Sequence, residues 1–215
     1  MTERRLLIPL GAYAIDVVVH LVAQVAGAEL LASVTQCLAM PLLAGYLVLA
    51  APMWEQMPRL VLGALFFSWL GDLLPRFLGD LGFVALLGCF LLAQITYIAA
   101  FAEFRREAFA QRPWVALCVV VTIALLGVLV PFAVVLALPV IAYGLALGTM
   151  TLLAVGVHHI SAVGAALFLA SDSMIATNTF VLSTGHAIPG FWVMATYLIG
   201  QLLIVIGVVR RSNRG

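Results

Sequence analysis

The chain has 215 residues, of which 65% are hydrophobic and only 9% charged, with a formal net charge of +1 and a mean hydropathy of +1.22. Soluble domains are nearer half apolar and a quarter charged, so a water-soluble globule, a disordered chain and, with no basic block, a nucleic-acid binder are excluded. An all-α polytopic membrane protein remains: a spanning helix needs about 20 apolar residues, and no segment alternates polar and apolar residues as a barrel strand does.

Apolar runs predict eight transmembrane helices, at residues 6–26, 30–51, 60–74, 81–102, 114–130, 132–155, 160–177 and 188–209. The joints carry turn and breaker residues: Pro52, the run from Arg76 to Asp80 with Gly79, Arg112 with Pro113, Pro131, His158 with His159, and Ser183, Thr184, Gly185 and His186. The first run is long enough to span, and no small-residue cleavage site follows it, so it reads as a span and not as a signal peptide. All ten basic residues are arginines. With eight spans, Arg4, Arg5, Arg59, Arg105, Arg106, Arg112, Arg210, Arg211 and Arg214 share one side and only Arg76 lies on the other. That asymmetry puts both termini in the cytoplasm of a cell-membrane protein. Cys37, Cys89 and Cys118 fall inside spans without metal-ligand spacing and read as small buried hydrophobes. His158 and His159 read as a loop pair. No phosphate loop, HExxH or GxSxG occurs, and no metal or cofactor is expected.

The chain is read as a single transmembrane domain, 1–215, containing two half-repeats, 6–102 and 114–209. Met40-Pro41-Leu42-Leu43-Ala44 resembles Leu138-Pro139-Val140-Ile141-Ala142, and Gly63 to Phe67 with Ser68 and Asp72 resembles Gly164 to Phe168 with Ser171 and Asp172. Tyr97 parallels Tyr197. Four spans per half make a parallel 4+4 repeat. In it, Asp72 and Asp172 lie at one depth, about 20 Å from the cytoplasmic edge, and are expected to face each other across the central axis.

A charged side chain in lipid costs at least about 2.5–3.5 kcal/mol and is a functional candidate by position. Asp172 is the strongest, with apolar residues on both sides; its structural alternative is a carboxylate bonded to Ser171 or a neighbouring helix. Asp72 has Arg76 one turn on, which also fits an interfacial ion pair. Asp16 belongs to a one-face stripe on the first span with Tyr13, His20 and Gln24; Asp16 and His20 suit a proton relay or a self-satisfied structural pair. Glu29, Glu55, Glu103 and Glu107 lie in joints and read as solvated. Gln94 and Tyr97 share a face, as do Tyr197 and Gln201, and Gly144 with Gly148 reads as close helix packing.

Ser68-Trp69-Leu70-Gly71-Asp72, then Gln94-Ile95-Thr96-Tyr97-Ile98-Ala99-Ala100-Phe101, then Gly164 to Phe168 ahead of Ser171-Asp172, then Tyr197 to Ile204 together resemble the YhhN family of lysoplasmalogenase-like integral membrane proteins. The resemblance runs from about Thr35 to Val208 in matching order. It implies hydrolysis of the vinyl ether of a lysoplasmalogen, entering from the bilayer, to a fatty aldehyde and a glycerophospho head group. Two departures stand out. Where the family commonly has Thr-Lys-Pro, this chain has Thr35-Gln36-Cys37, and where it commonly has His-x-x-Tyr, this chain has Gln94-Ile95-Thr96-Tyr97. His20 is the candidate replacement for the missing imidazole.

Vinyl ether cleavage needs a proton on the β-carbon and water on the resulting oxocarbenium ion. Two aspartates in one low-dielectric cavity can share a proton and divide those tasks, as glycosidase carboxylates do. The expected pair is Asp172 as proton donor and Asp72 as carboxylate, with Ser68, Gln94, Tyr97, Ser171, Tyr197, Gln201, Tyr143 and Gln36 binding or orienting substrate. Three other classes share parts of this pattern. An intramembrane aspartyl protease also needs two aspartates but carries Gly-x-Gly-Asp, and here Trp69 stands in that motif. A small-molecule or proton-coupled transporter fits the repeat, and an inactive lysolipid-binding member fits the two glutamines.

Overall fold

The computed structural model describes residues 4–182 and 187–214, with side chains from Leu6 onward, so the joint predicted at Ser183, Thr184, Gly185 and His186 lies outside the described residues. The described elements are all helical. They are α1 (Arg4–Val25), α2 (Glu29–Ala50), α3 (Gln56–Leu73), α4 (Gly82–Phe101), a short α5 (Arg105–Ala110), α6 (Arg112–Ala133), α7 (Ala137–Val157), α8 (His159–Phe180) and α9 (Gly190–Ser212). Helix follows from the solvent: lipid supplies no partner for backbone N–H or C=O, so each apolar run must satisfy its own. Seven uninterrupted helical stretches among the described residues are long and apolar enough to cross a membrane. Large apolar side chains cover their outer surfaces, Leu30 at 80% exposure and Val135 at 90% among them. Such a surface suits hydrocarbon and not water.

The predicted joints are mostly where the helices turn. Gly27, at φ 68, ends α1 with a Schellman motif, in which Ala28 N–H returns to Ala23 C=O at 2.9 Å and Gly27 N–H to Gln24 C=O at 3.3 Å. Two 3-10 turns, Leu74–Arg76 and Gly79–Leu81, fill the joint after α3. His158 is the N-cap of α8, its Nδ1 accepting from Ile160 N–H at 3.1 Å.

The break expected at Pro131 falls later. Pro131 lacks only its own donor to Gly127, a loss α6 absorbs in its last turns, and the chain reverses at Val134, at φ 41. A 3-10 turn, Val134–Leu136, then leads directly into α7, so residues 112–157 form one of the seven stretches. Within it the two helices run antiparallel: Thr122 packs on Gly148, Leu126 on Gly144, and Trp114 Nε1–H donates to Thr151 C=O at 3.3 Å. Gly144 and Gly148 thus serve close packing.

The chain divides into two compact units, one made of residues up to Ala100 with those from Val208, the other Phe101–Gly207. In the first unit, Pro41 has no N–H for Cys37 C=O. Trp69 of α3 supplies the missing donor through its indole Nε1–H at 3.0 Å, which locks the register of α2 against α3. Gly71 lies under the Phe90 ring and Gly63 against Thr96, setting α3 and α4 antiparallel. In the second unit, α8 and α9 cross through Gly164 and Gly200; a Cβ on Gly164 would lie 2.5 Å from Gly200 C=O. That contact admits no larger residue.

Candidate active site

In the first unit a chain of polar side chains links α2 to the end of α3. Asp72 is buried near the C-terminus of α3, and its Oδ1 accepts from Gln36 Nε2 at 3.0 Å. The other end of the same amide, Gln36 Oε1, accepts from Arg76 Nη2 at 2.6 Å. Arg76 Nη1 donates to Ser33 Oγ, also at 2.6 Å. Ser33 and Gln36 are three residues apart and so share a face of α2. The tightening of α3 into a 3-10 turn at Pro75 carries Arg76 across to that face. Both hydrogen bonds of Arg76 go to neutral acceptors on α2, where the sequence spacing had also allowed an ion pair with Asp72.

Around this chain the candidates of the first unit are deeply buried. Ser68, Gln94 and Tyr97 are inaccessible. Tyr13 is fully buried and within electrostatic reach of Asp16, Asp72 and Tyr97. The stripe on α1 does not form the expected internal pair, since Asp16 and His20 make no hydrogen bond to each other. His20 Nδ1 turns to α2, 3.0 Å from both Ala32 C=O and Thr35 Oγ1. A carbonyl only accepts, and Thr35 spends its own proton on Leu31 C=O at 2.8 Å, so Nδ1 carries the hydrogen. His20 Nε2, Asp16 Oδ2 and Gln24 Oε1, one turn apart in succession, are buried without hydrogen-bond partners among the described residues.

In the second unit Asp172 is buried on α8, and its Oδ2 accepts from the Tyr143 hydroxyl of α7 at 2.5 Å. Ser171, beside it, donates to Val193 C=O of α9 at 2.9 Å, so its hydroxyl ties helices together. Tyr197 packs on Phe168, with ring centroids 5.6 Å apart. Gln201, one turn further along α9, is fully buried. Asn178 clamps the chain ahead of α9, its Oδ1 accepting from Ile188 N–H at 2.8 Å and its Nδ2 donating to Ile188 C=O at 3.0 Å.

Arg76, Ser33, Asn178 and the Trp69 indole all act in ways that sequence reasoning missed. The i, i+3 spacing of Ser33 and Gln36 was the one available signal for the first pair. Each unit thus holds a buried carboxylate on its third long helix that takes a hydrogen bond from the second. Such groups can accept or return a proton, and they can stabilise positive charge built next to them in low dielectric.

The fold and these groups define a multispan helical membrane protein with carboxylates buried among its helices. The chain belongs to the YhhN family, which it matches over residues 31–208. It is similar to two curated proteins named lysoplasmalogenase, from Mycobacterium bovis and Mycobacterium tuberculosis, each 38% identical over 134 residues. Those residues cover 58% of this chain and 50% of each relative, so the chain spans about half the length of the curated relatives it matches. No solved structure matches.

Proposed function

We propose that this protein is a membrane hydrolase that cleaves the vinyl ether of lysoplasmalogen to a fatty aldehyde and a glycerophospho head group, by aspartate acid/base catalysis without a cofactor. Family membership and the name shared by its relatives support the reaction class. The observation that carries the site is that Asp72 and Asp172 are both buried, each held by a donor from the adjacent helix.

Asp172 acts as the acid, giving a proton to the β-carbon of the vinyl ether while the double-bond electrons form the new C–H bond. The resulting oxocarbenium ion is stabilised by the Asp72 carboxylate, which takes a proton from the water that adds to the α-carbon. The hemiacetal then collapses: its hydroxyl gives its proton to the Asp172 carboxylate as the C=O forms, and the glycerol oxygen leaves as a free hydroxyl with the proton held by Asp72, which returns both aspartates to their starting states. Tyr143 holds Asp172 in place and Gln36 holds Asp72. Ser68, Gln94, Tyr97, Tyr197 and Gln201 orient water, ether oxygen or head group, and Ser171 fixes α8 against α9.

In this reading α6 and α7 are separate spans, giving eight with both termini cytoplasmic in a cell membrane. Their antiparallel packing and the arginine distribution support that count. The recurrence of a carboxylate on the third helix bonded from the second supports a 4+4 repeat. The substrate enters sideways from lipid. The test is aldehyde release by purified protein from lysoplasmalogen, with the corresponding lysophospholipid ester as control: vinyl-ether-dependent release is expected. Measurable lysolipid binding without release would favour the second reading, an inactive lysolipid-binding member, which the glutamines at 36 and 94 motivate.

A further inference from the structure

We propose that Arg76 is the receptor for the phosphate of the lysolipid head group and sets the vinyl ether at the level of Asp72; the inference rests on the hydrolase reading above. Arg76 is exposed in the turn after α3, next to Phe77 at 74% exposure and near Leu81 at 65%. Those apolar neighbours mark it as a group that meets lipid. Asp72 is buried four residues earlier, about 6 Å deeper along the helix axis. A lysolipid in a bilayer presents its groups in that order, phosphate at the interface and ether bond below it.

The guanidinium is built to receive an anion. Its bonds to Ser33 Oγ and Gln36 Oε1, both 2.6 Å, fix its plane without cancelling its charge, because both acceptors are neutral. About three of its five N–H donors stay available in a planar fork that matches phosphate oxygens. Holding the side chain beforehand removes part of the ordering cost of binding.

The spacing also fits one molecule. The Gln36 amide bridges Arg76 and Asp72, 2.6 Å from one and 3.0 Å from the other. With the width of the amide, guanidinium and carboxylate are at most about 8 Å apart. Six bonds separate the phosphorus of a lysoplasmalogen from the α-carbon of its vinyl ether, about 7 Å when extended. A phosphate on Arg76 therefore delivers the α-carbon, where water adds, to Asp72.

The experiment compares wild type, Arg76→Gln and Arg76→Lys on a lysoplasmalogen and on the 1-alkenylglycerol that lacks the phosphate. Arg76→Gln should raise KM for lysoplasmalogen by about tenfold or more while kcat changes less than about threefold. KM for the alkenylglycerol should move less than about twofold, and Arg76→Lys should fall between, keeping charge without the fork. Equal losses on both substrates, or no loss on either, would overturn the assignment. So would inorganic phosphate inhibiting both substrates alike in wild type but not in Arg76→Gln, the mark of a free-anion site. If wild type releases aldehyde from neither substrate, the hydrolase reading falls and binding still decides Arg76. Weaker binding of lysophosphatidylcholine by Arg76→Gln, with monoacylglycerol binding unchanged, would support the phosphate site. Equal binding of both by both proteins would reject it.

Discussion

A carboxylate in hydrocarbon costs at least about 2.5–3.5 kcal/mol, and this chain keeps Asp72, Asp172 and Asp16 buried. The hydrogen bonds from Gln36 and Tyr143 offset part of that cost for the first two. Asparagine is nearly isosteric with aspartate and keeps an acceptor for each donor, but it neither donates to carbon nor stabilises a cation. Asp72→Asn and Asp172→Asn should each lower the rate of aldehyde release by about a hundredfold or more while leaving size-exclusion profile and thermal midpoint near wild type. Activity retained in both variants would reject the acid/base assignment. The carboxylates were legible in the sequence because charge inside an apolar run stands out whatever the fold. The role of Gln36 was not. Helical periodicity puts Ser33 and Gln36 on one face of α2, but which face meets α3 depends on tertiary register. How far Arg76 reaches depends on the 3-10 turn at Pro75. By the family resemblance Gln36 stands where a lysine is common; in the structure Arg76 brings a guanidinium to that same side chain.

Among the elements, α2 and α3 show how a local defect becomes tertiary structure. A proline inside a helix leaves the carbonyl four residues earlier without its donor, yet nothing local in the sequence names the partner of the Cys37 carbonyl. Trp69→Phe removes that partner and should cost about 1–3 kcal/mol of stability, the penalty of a buried unpaired carbonyl. Pro41→Ala restores the backbone donor, so the double variant Pro41→Ala/Trp69→Phe should regain most of the loss in detergent unfolding curves. Additive losses would show that the indole bond is incidental. The opposite error arose between α6 and α7. Proline is the strongest breaker in the sequence, so the boundary was expected at Pro131, whereas the reversal sits at Val134, a β-branched residue at positive φ that no propensity would select. The glycines at 144 and 148 were correctly legible, because a small-residue spacing on one helix face signals close approach whichever helix arrives.

At the scale of the whole molecule, composition alone settled the helical membrane class, since lipid permits little else for such a chain. The number of crossings was harder, because a hairpin turn and a bent continuous helix differ by only a few backbone angles around Val134. If α6 and α7 cross separately, a cysteine placed at Val135 faces the side opposite the termini. In intact cells Val135→Cys should react with a membrane-impermeant thiol reagent, while a cysteine at Asn213 should react only after permeabilisation. The reverse pattern, or labelling of both, would contradict the eight-span topology. The central claim is chemical: a proton goes to carbon, water follows, and an aldehyde leaves. Purified protein acting on lysoplasmalogen in deuterium oxide tests it most directly. The fatty aldehyde should carry one deuterium on the carbon next to its carbonyl, absent from a control incubated without protein; aldehyde lacking that label, or no aldehyde at all, would contradict the account.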